Sequence, residues 1–594
     1  MAETRGGGRG VTGAARAVPG RLVAWAVPGL LALFLLSQYR YVGSVPFLND
    51  DYVFLDLTRG ASFLSLWVPR QAVWLWYRPW SRELHYWTLQ RLFGTAVLPW
   101  HCASIALWLA LMLLYAALAR RLAGGRAAAV STAGVAALAA WGLPIAWVAG
   151  VQDLWMMTLA LGALLAFERG RTAAATALFL LALLSKETAA LLPFAAFVLA
   201  WRVQRRPAAQ AASRVAPLVV VAAAWAALHP LLGGRFWHAV APPTAPVASP
   251  GAAGVALRTL LATLNLDRLP SPEYGWGGPL WMGVTGAVCL VWLAALPLLR
   301  PDRSRRRPAP VRAGPARGLA AFGLAWAAAG WAPLFMPSVG WHAYYGLFGM
   351  LGAWLLIGAG LARRPAWALA AIAALAVLRP LQAATVSRDW GDEWYQKRAA
   401  EFVEFMRRDL VAKVPAPPPH SRLWFLGVPS NVGFLQGDGP ALRVWYRDPT
   451  LSGGLLSQYR VRAAGAPGGS DRFFRYDSTA GWIEVRRGES DAPATHGADR
   501  SWREDHERLA IALSRGGDWP GAAAEYAGLA AACPDSVTYP YYAGLAALAG
   551  ADSIAARDWL ARAAALPGAD DEVRAAARRI AAPARGGARR GPHR

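Results

Sequence analysis

Apolar residues in this chain come in long runs broken by short polar clusters. A run of about 20 apolar residues is long enough for a helix to cross a bilayer, and shorter runs serve where a helix is broken or the bilayer thins. On that measure the runs 20–38, 97–119, 127–148, 153–167, 172–185, 187–201, 215–232, 278–299, 318–336, 342–361 and 365–380 predict about eleven spans. The expected fold is mainly α: a polytopic α-helical membrane bundle over 20–380, behind a basic cytoplasmic N-terminus at 1–19.

The run 172–201 decides the topology. It is too long for one comfortable span and short for two, with Lys186-Glu187 at its middle. Two adjacent charges at mid-bilayer would be costly. A hairpin of two short helices, turning at Lys186-Glu187, avoids that cost. With this hairpin, every basic cluster falls on one side: Arg5 to Arg21, Arg120 to Arg126, Arg169 and Arg171, Arg202 to Arg206, Arg300 to Arg317, and Arg363-Arg364. The positive-inside rule places that side in the cytoplasm. The loop 39–96, the turn at Gly150–Asp153, the Lys186 turn, the loop 233–277, the turn near Trp341 and everything after Pro380 are then outside. No small-residue cleavage site follows the first run, where Ser37-Gln38-Tyr39-Arg40-Tyr41 stands, so that span is expected to be retained. The expected location is a bacterial inner membrane, with the C-terminal domain periplasmic or extracellular.

Beyond the bundle the texture changes. Residues 381–500 read as an exterior linker and a small α/β or β-rich module, with short strands at Leu423–Leu426, Leu442–Tyr446 and Trp482–Val485 between Gly and Pro turns. From 501 to 582 the pattern is helical and repeats. Gly517-Asp518 recurs as Ala551-Asp552, Ala522 as Ala556 and Tyr526 as Leu560, each 34 residues on. That is the tetratricopeptide period, and it points to a protein partner for the tail. Residues 583–594 are basic and Gly-rich, composition typical of a disordered tail.

Composition agrees with a membrane protein: 594 residues, 56% hydrophobic, 16% charged, mean hydropathy +0.28. The formal charge of +25 would fit a nucleic-acid partner, but its Arg residues sit in short tracts beside apolar runs, so no nucleic acid is expected. Cys102, Cys289 and Cys533 are far apart and lack metal-ligand spacing.

The candidate chemistry lies in the outer segments. The first outer loop carries Asn49-Asp50-Asp51 and then Tyr77-Arg78-Pro79-Trp80-Ser81-Arg82-Glu83-Leu84-His85. A carboxylate there suits general-base work on a hydroxyl, or a divalent cation. The plainer reading is a capped helix start with acids in its first turn. Arg78, Arg82 and His85 suit an anion at the membrane surface, Arg by its planar fork. The plainer reading is an interfacial helix with Trp74, Trp76, Trp80 and Trp87. Asp153 follows Gln152 at the fourth span's outer end. Lys186 can meet a phosphate as a point charge, or pair with Glu187 in the turn. Arg235 follows the seventh span, and His342, Tyr344 and Tyr345 open the tenth.

These residues resemble a known family. Asp50-Asp51 after the first span, Tyr77-Arg78-Pro79 later in the loop, Asp153 in the second outer turn and Ser185-Lys186-Glu187 occur in the order found in GT-C glycosyltransferases. The likeness is nearest to the protein O-mannosyltransferase branch and to the transmembrane-and-tetratricopeptide mannosyltransferases. Trp341-His342-Ala343-Tyr344-Tyr345 matches loosely; the Glu-Arg-Tyr common there is absent. The resemblance covers about residues 20–380. It implies a polyprenyl-phosphate sugar donor, an acceptor hydroxyl on a protein or on an envelope glycan or lipid, and an inverting displacement. Asp50 or Asp51 would be the base, and Asp153, counted with them as catalytic, would orient the acceptor or help bind a metal. Arg78, Arg82, Glu83, His85, Lys186, Glu187, Arg235, His342 and Tyr345 would bind substrate. No cofactor is firmly implied; a divalent cation, magnesium or manganese, stays open. A non-enzymatic scaffold acting through the tail is the main alternative. A flippase is less favoured, since the spans are nearly free of Asp, Glu and Lys.

Overall fold

The computed structural model describes residues 36–68, 76–228, 251–268, 313–336, 340–385, 387, 389–428, 439–488 and 500–581. They fall into two compact units, divided between Glu401 and Phe402.

The first unit is helical. Among its described residues, six helices are long and apolar enough to cross a membrane: Val97–Ala123, Val148–Glu168, Ala208–Ala227, Ala316–Phe335, Ala343–Leu361 and Pro365–Ala383. A seventh span is the pair Gly125–Ala136 and Ala139–Ala146, bent by 58°. Most of the runs 20–38 and 278–299 lie outside the described residues, so these two expected spans, like the tail 583–594, carry no structural statement. The runs 172–185 and 187–201 form short pieces, Thr172–Leu183 and then Leu192–Val198 with a π-helical end at Leu199–Val203.

The chain turns back between these pieces. Lys186 meets Asp153 at the start of the Val148–Glu168 span, whereas Gln204 donates to the Glu168 carbonyl at its end. Arg121 also pairs with Glu168, and Arg202 lies against Gly318, beside Arg317. The basic clusters Arg120–Arg121, Arg202–Arg206 and Arg317 thus share one end of the bundle. The acidic and cationic residues of the outer segments share the other.

A buried network closes the bundle near that second end. Arg379, 2% exposed, pairs with Glu393 at 2.9 Å, and its guanidinium lies 4.1 Å from the Tyr39 ring. Tyr41 donates to the same Glu393. The segment that follows the first expected run and the end of the last one are joined there through Glu393.

The second unit contains a four-stranded sheet in the order β2-β1-β3-β4: β1 Arg422–Leu426, β2 Ser452–Leu455, β3 Asp471–Asp477 and β4 Gly481–Val485. β1 runs parallel to β2 and β3, and β3–β4 is an antiparallel hairpin. The strand expected at Leu442–Tyr446 is instead the helix Pro440–Tyr446. Pro440 sits in its first turn, where a missing N–H costs nothing, and a single alternating stretch cannot outvote that start. β2 was hidden because it reads Ser-Gly-Gly-Leu. A Cβ on Gly453 would lie 2.0 Å from the Leu423 carbonyl oxygen, and its φ of +149° suits only glycine, so the sheet needs that residue bare.

Helices Arg500–Arg515, Trp519–Ala532, Thr538–Ala549, Ser553–Ala565 and Asp571–Ala581 follow. Asp518 and Asp552 each cap a helix through the side chain, accepting from Gly521 and Ala555. One continuous apolar cluster joins Trp424, Tyr459 and Phe473 of the sheet module to Leu509, Leu513, Leu529 and Tyr539. The break expected near residue 500 is therefore not a break in packing.

Candidate active site

The site is assembled from four segments of the first unit, with Tyr345 supplied by a fifth. Helix Asp50–Arg59 begins it. Asn49 precedes the helix with a positive φ of 52° and makes no side-chain cap, so Asp50 and Asp51 open the helix directly. Consecutive residues of a helix point about 100° apart, so their side chains reach different places. Asp51 is fully buried. It accepts from the Leu48 N–H at 2.9 Å, the Tyr86 hydroxyl at 2.6 Å and the Ala149 N–H at 2.8 Å. Asp50 is half-buried, and among the described residues it takes no hydrogen bond from another side chain. The cations it feels are Arg78 and Arg82. Burial pushes the carboxyl of Asp50 up to about 7, against the pull of those two guanidinium groups. Burial raises Asp51 likewise, against its hydrogen bonds.

The second segment is the stretch Pro79–Leu84, a π-helical turn leading into helix His85–Phe93. Arg78 precedes it and crosses to other segments. It donates from Nε to Glu187 Oε1 at 3.0 Å, from Nη2 to Glu187 Oε2 at 2.7 Å and from Nη1 to Gln152 Oε1 at 2.8 Å. Such a bidentate fork fixes the guanidinium plane. Arg82 is buried, pairs with its neighbour Glu83 and lies 5.3 Å from the Phe54 ring centroid. His85 is also buried and accepts from the Trp155 indole at 3.2 Å through Nδ1. Burial pulls its pKa down to about 4, so the ring is neutral at pH 7. With Nδ1 accepting, the proton sits on Nε2, which is buried and has no partner among the described residues. His85 can therefore donate to an anion but not form an ion pair with one.

The third and fourth segments meet across the Lys186 turn. Lys186 does not pair with its neighbour Glu187. Its ammonium donates to both oxygens of Asp153, at 2.6 and 2.7 Å, while Glu187 holds Arg78. Burial pulls the Lys186 ammonium down, opposed by the charge of Asp153. Burial pushes Glu187 up, but Arg78 outweighs it and holds the carboxyl below its ordinary range. Lys186 also lies 4.7 Å from the Tyr345 ring and 5.4 Å from the Tyr344 ring. Asp50, Asp153 and Arg78 are all within electrostatic reach of Tyr345.

Asp50, Asp51, Arg78, Arg82, Glu83, His85, Asp153, Lys186, Glu187 and Tyr345 thus come together. His342 stands next to them, 5.4 Å from Tyr345, but pairs with Asp389 at 2.7 Å. Arg235 lies outside the described residues. Two participants had no sequence signal of their own. Gln152 is a neutral residue in a short turn, and Asp389 sits in what reads as an exterior linker. Among the described residues no three His, Cys, Asp or Glu side chains are grouped to hold a metal ion. Asp153 has both oxygens engaged by Lys186, so no step is assigned to a divalent cation.

No family model matches the chain, and no curated protein matches it. The chain is similar to the crystal structure of ArnT from Cupriavidus metallidurans bound to undecaprenyl phosphate, with 15% identity, coverage of 72% of this chain and 86% of that one, and a TM-score of 0.40. It is likewise similar to ArnT from the same organism in the apo state, with 15% identity, coverage of 73% and 86%, and a TM-score of 0.39.

Proposed function

We propose that this protein is a membrane glycosyltransferase. It transfers a sugar from a polyprenyl-phosphate donor to an acceptor hydroxyl on the non-cytoplasmic side. The observation that carries this reading is the pairing of opposites at one end of the bundle. Asp50, a carboxylate that takes no side-chain hydrogen bond among the described residues, faces two guanidinium groups, and both it and the Lys186 ammonium act on Tyr345.

The chemistry is a single inverting displacement. The acceptor hydroxyl gives its proton to the Asp50 carboxylate. Its oxygen forms a bond to the anomeric carbon as the bond from that carbon to the phosphate oxygen breaks. The electron pair leaves with the phosphate. A base with a pKa near 7 matches neutral operating pH. Arg78 and Lys186 already spend donors on Glu187, Gln152 and Asp153, but each keeps at least one N–H. Those remaining donors stabilise the charge that develops on the departing phosphate. Asp51 is assigned to holding the loop, and Asp153 to orienting Lys186.

The test uses the purified full chain in lipid nanodiscs with a polyprenyl-phosphate-linked hexose, following release of polyprenyl phosphate as water takes the place of the acceptor hydroxyl and the free hexose is formed. Loss of release in Asp50→Asn and Lys186→Met is expected. Wild-type rates in both variants would overturn the reading and favour the scaffold.

A further inference from the structure

Beside the charged site, across Tyr344 and Tyr345, stands a group of side chains that the displacement does not use. Trp390 is 39% exposed, yet it is held firmly on one side: the His342 ring centroid is 4.2 Å away and that of Trp147 is 6.2 Å away. Asp389 is fixed next to it. Its Oδ1 meets His342 Nδ1 at 2.7 Å and accepts from the Gly391 N–H at 2.8 Å. Its Oδ2 is 3.8 Å from Arg268 Nη2, too far for a hydrogen bond. Arg268 is anchored in turn by Asp392 at 3.0 Å. A cavity of about 30 Å³ lies there, with Arg268, Tyr344, Gly391 and Asp392 in its wall. That is room for one or two water-sized groups. The packing leaves no slack at residue 391, where a Cβ would come within 2.2 Å of His342 Nδ1.

We propose that Trp390, Asp389 and Arg268 form a platform for a pyranose ring. A pyranose has an apolar face of C–H groups, which an exposed, immobilised indole can cover. Its hydroxyls both donate and accept, so one of them can bridge the gap between the Arg268 N–H and the Asp389 oxygen that those two groups cannot close alone. The small cavity takes an exocyclic hydroxymethyl. The plain alternative, a solvated ion pair beside a surface Trp, does not require the indole to be braced by two rings. Whether the ring belongs to donor or acceptor rests on the transfer reading; the platform does not.

The test is saturation-transfer difference NMR on the full chain in nanodiscs with the methyl glycosides of mannose, glucose and N-acetylglucosamine as probes. Ring-proton signals are expected with the wild type for at least one probe, lost in Trp390→Ala and kept in Trp390→Phe. No signal with any probe, or equal signals in Trp390→Ala, would overturn the proposal. Hydrolysis of the donor, with water in place of the acceptor hydroxyl, separates the two sources. If Trp390→Ala raises KM for the lipid-linked donor in that reaction, the ring is the donor's. If only transfer to acceptor suffers, it is the acceptor's. Trp390-dependent binding in a protein with no turnover would leave the platform standing and remove the transfer reading alone.

Discussion

Asp51 accepts a hydrogen bond from the Ala149 N–H at 2.8 Å, tying the first outer-loop helix to the turn that carries Gln152 and Asp153. Gln152 in turn donates to the Ala149 carbonyl at 3.0 Å and accepts from Arg78. One buried carboxylate therefore sets the position of a cation well away from it in sequence. Asp51→Ala strands three donors, each costing about 1–3 kcal/mol when left buried and unsatisfied. A clear fall in Tm and in folded yield is expected, read by size exclusion after heating. Asp50→Asn should keep at least the wild-type Tm at pH 6 while losing donor cleavage. An Asp51→Ala protein with unchanged Tm and no activity would move the base to Asp51.

The pH profile follows from the raised Asp50. A base must be deprotonated to act, so kcat/KM for donor cleavage should rise through about pH 7 and level off above it. Stability runs the other way. A carboxyl raised in the folded state adds stability in full below its unfolded value of 3.8, and that contribution is lost progressively as pH climbs to the folded value of about 7. Asp50→Asn removes that charge, so its Tm should exceed that of the wild type at pH 8.5, and the gap should close only as pH falls from 7 toward 4. A flat activity profile between pH 5.5 and 8.5 would sink the assignment.

Lys186 and Asp153 make a buried pair, each with a side chain less than a tenth exposed. Breaking such a pair from one side leaves an uncompensated charge and costs about 3–5 kcal/mol. Asp153→Ala and Lys186→Ala should each lower Tm strongly, and the double variant should recover part of the loss. All three should lose donor cleavage, because Lys186 is either absent or no longer oriented by Asp153. Additive Tm losses in the double variant would show that the pair is not coupled.

The charges announce which turns face one way. Lys186-Glu187 could not sit at mid-bilayer, and the hairpin that spares them is the one found, with Gln204 returning to Glu168. The Asp50-Asp51 pair is legible as a pair, but its division of labour is not. That depends on the backbone N–H groups of Leu48 and Ala149, which no local pattern reveals. Lys186-Glu187 looks self-paired, and only the fold shows each residue taking a distant partner, Asp153 and Arg78. Arg379 hides at the end of an apolar run, and Asp389 in a linker, because their partners are met only after the helices pack. Leu442–Tyr446 misleads because five alternating residues fit a strand as well as a short helix, and Pro440 decides the matter from outside the window.

The tail offers a last test, and its packing dictates where to cut. Deleting from Glu504 removes Leu509, Leu513 and Leu529, which share one buried cluster with Trp424, Tyr459 and Phe473. Such a deletion exposes the sheet's apolar face and should abolish folding of the second unit, whatever the tail does. Helices Ser553–Ala565 and Asp571–Ala581 carry a separate small cluster around Ala563, Ala569 and Val573. Ending the chain after Gly550 keeps every buried member of the larger cluster, although Trp559 no longer packs against it and Leu560 no longer covers Gly544. The shorter protein should therefore resist trypsin between residues 402 and 550 as the full chain does. It should also retain donor cleavage, since the residues assigned to the displacement all lie before Glu401. A truncation after Gly550 that keeps this protease resistance but loses donor cleavage would place an essential contact in the last two helices and return the scaffold reading to first place.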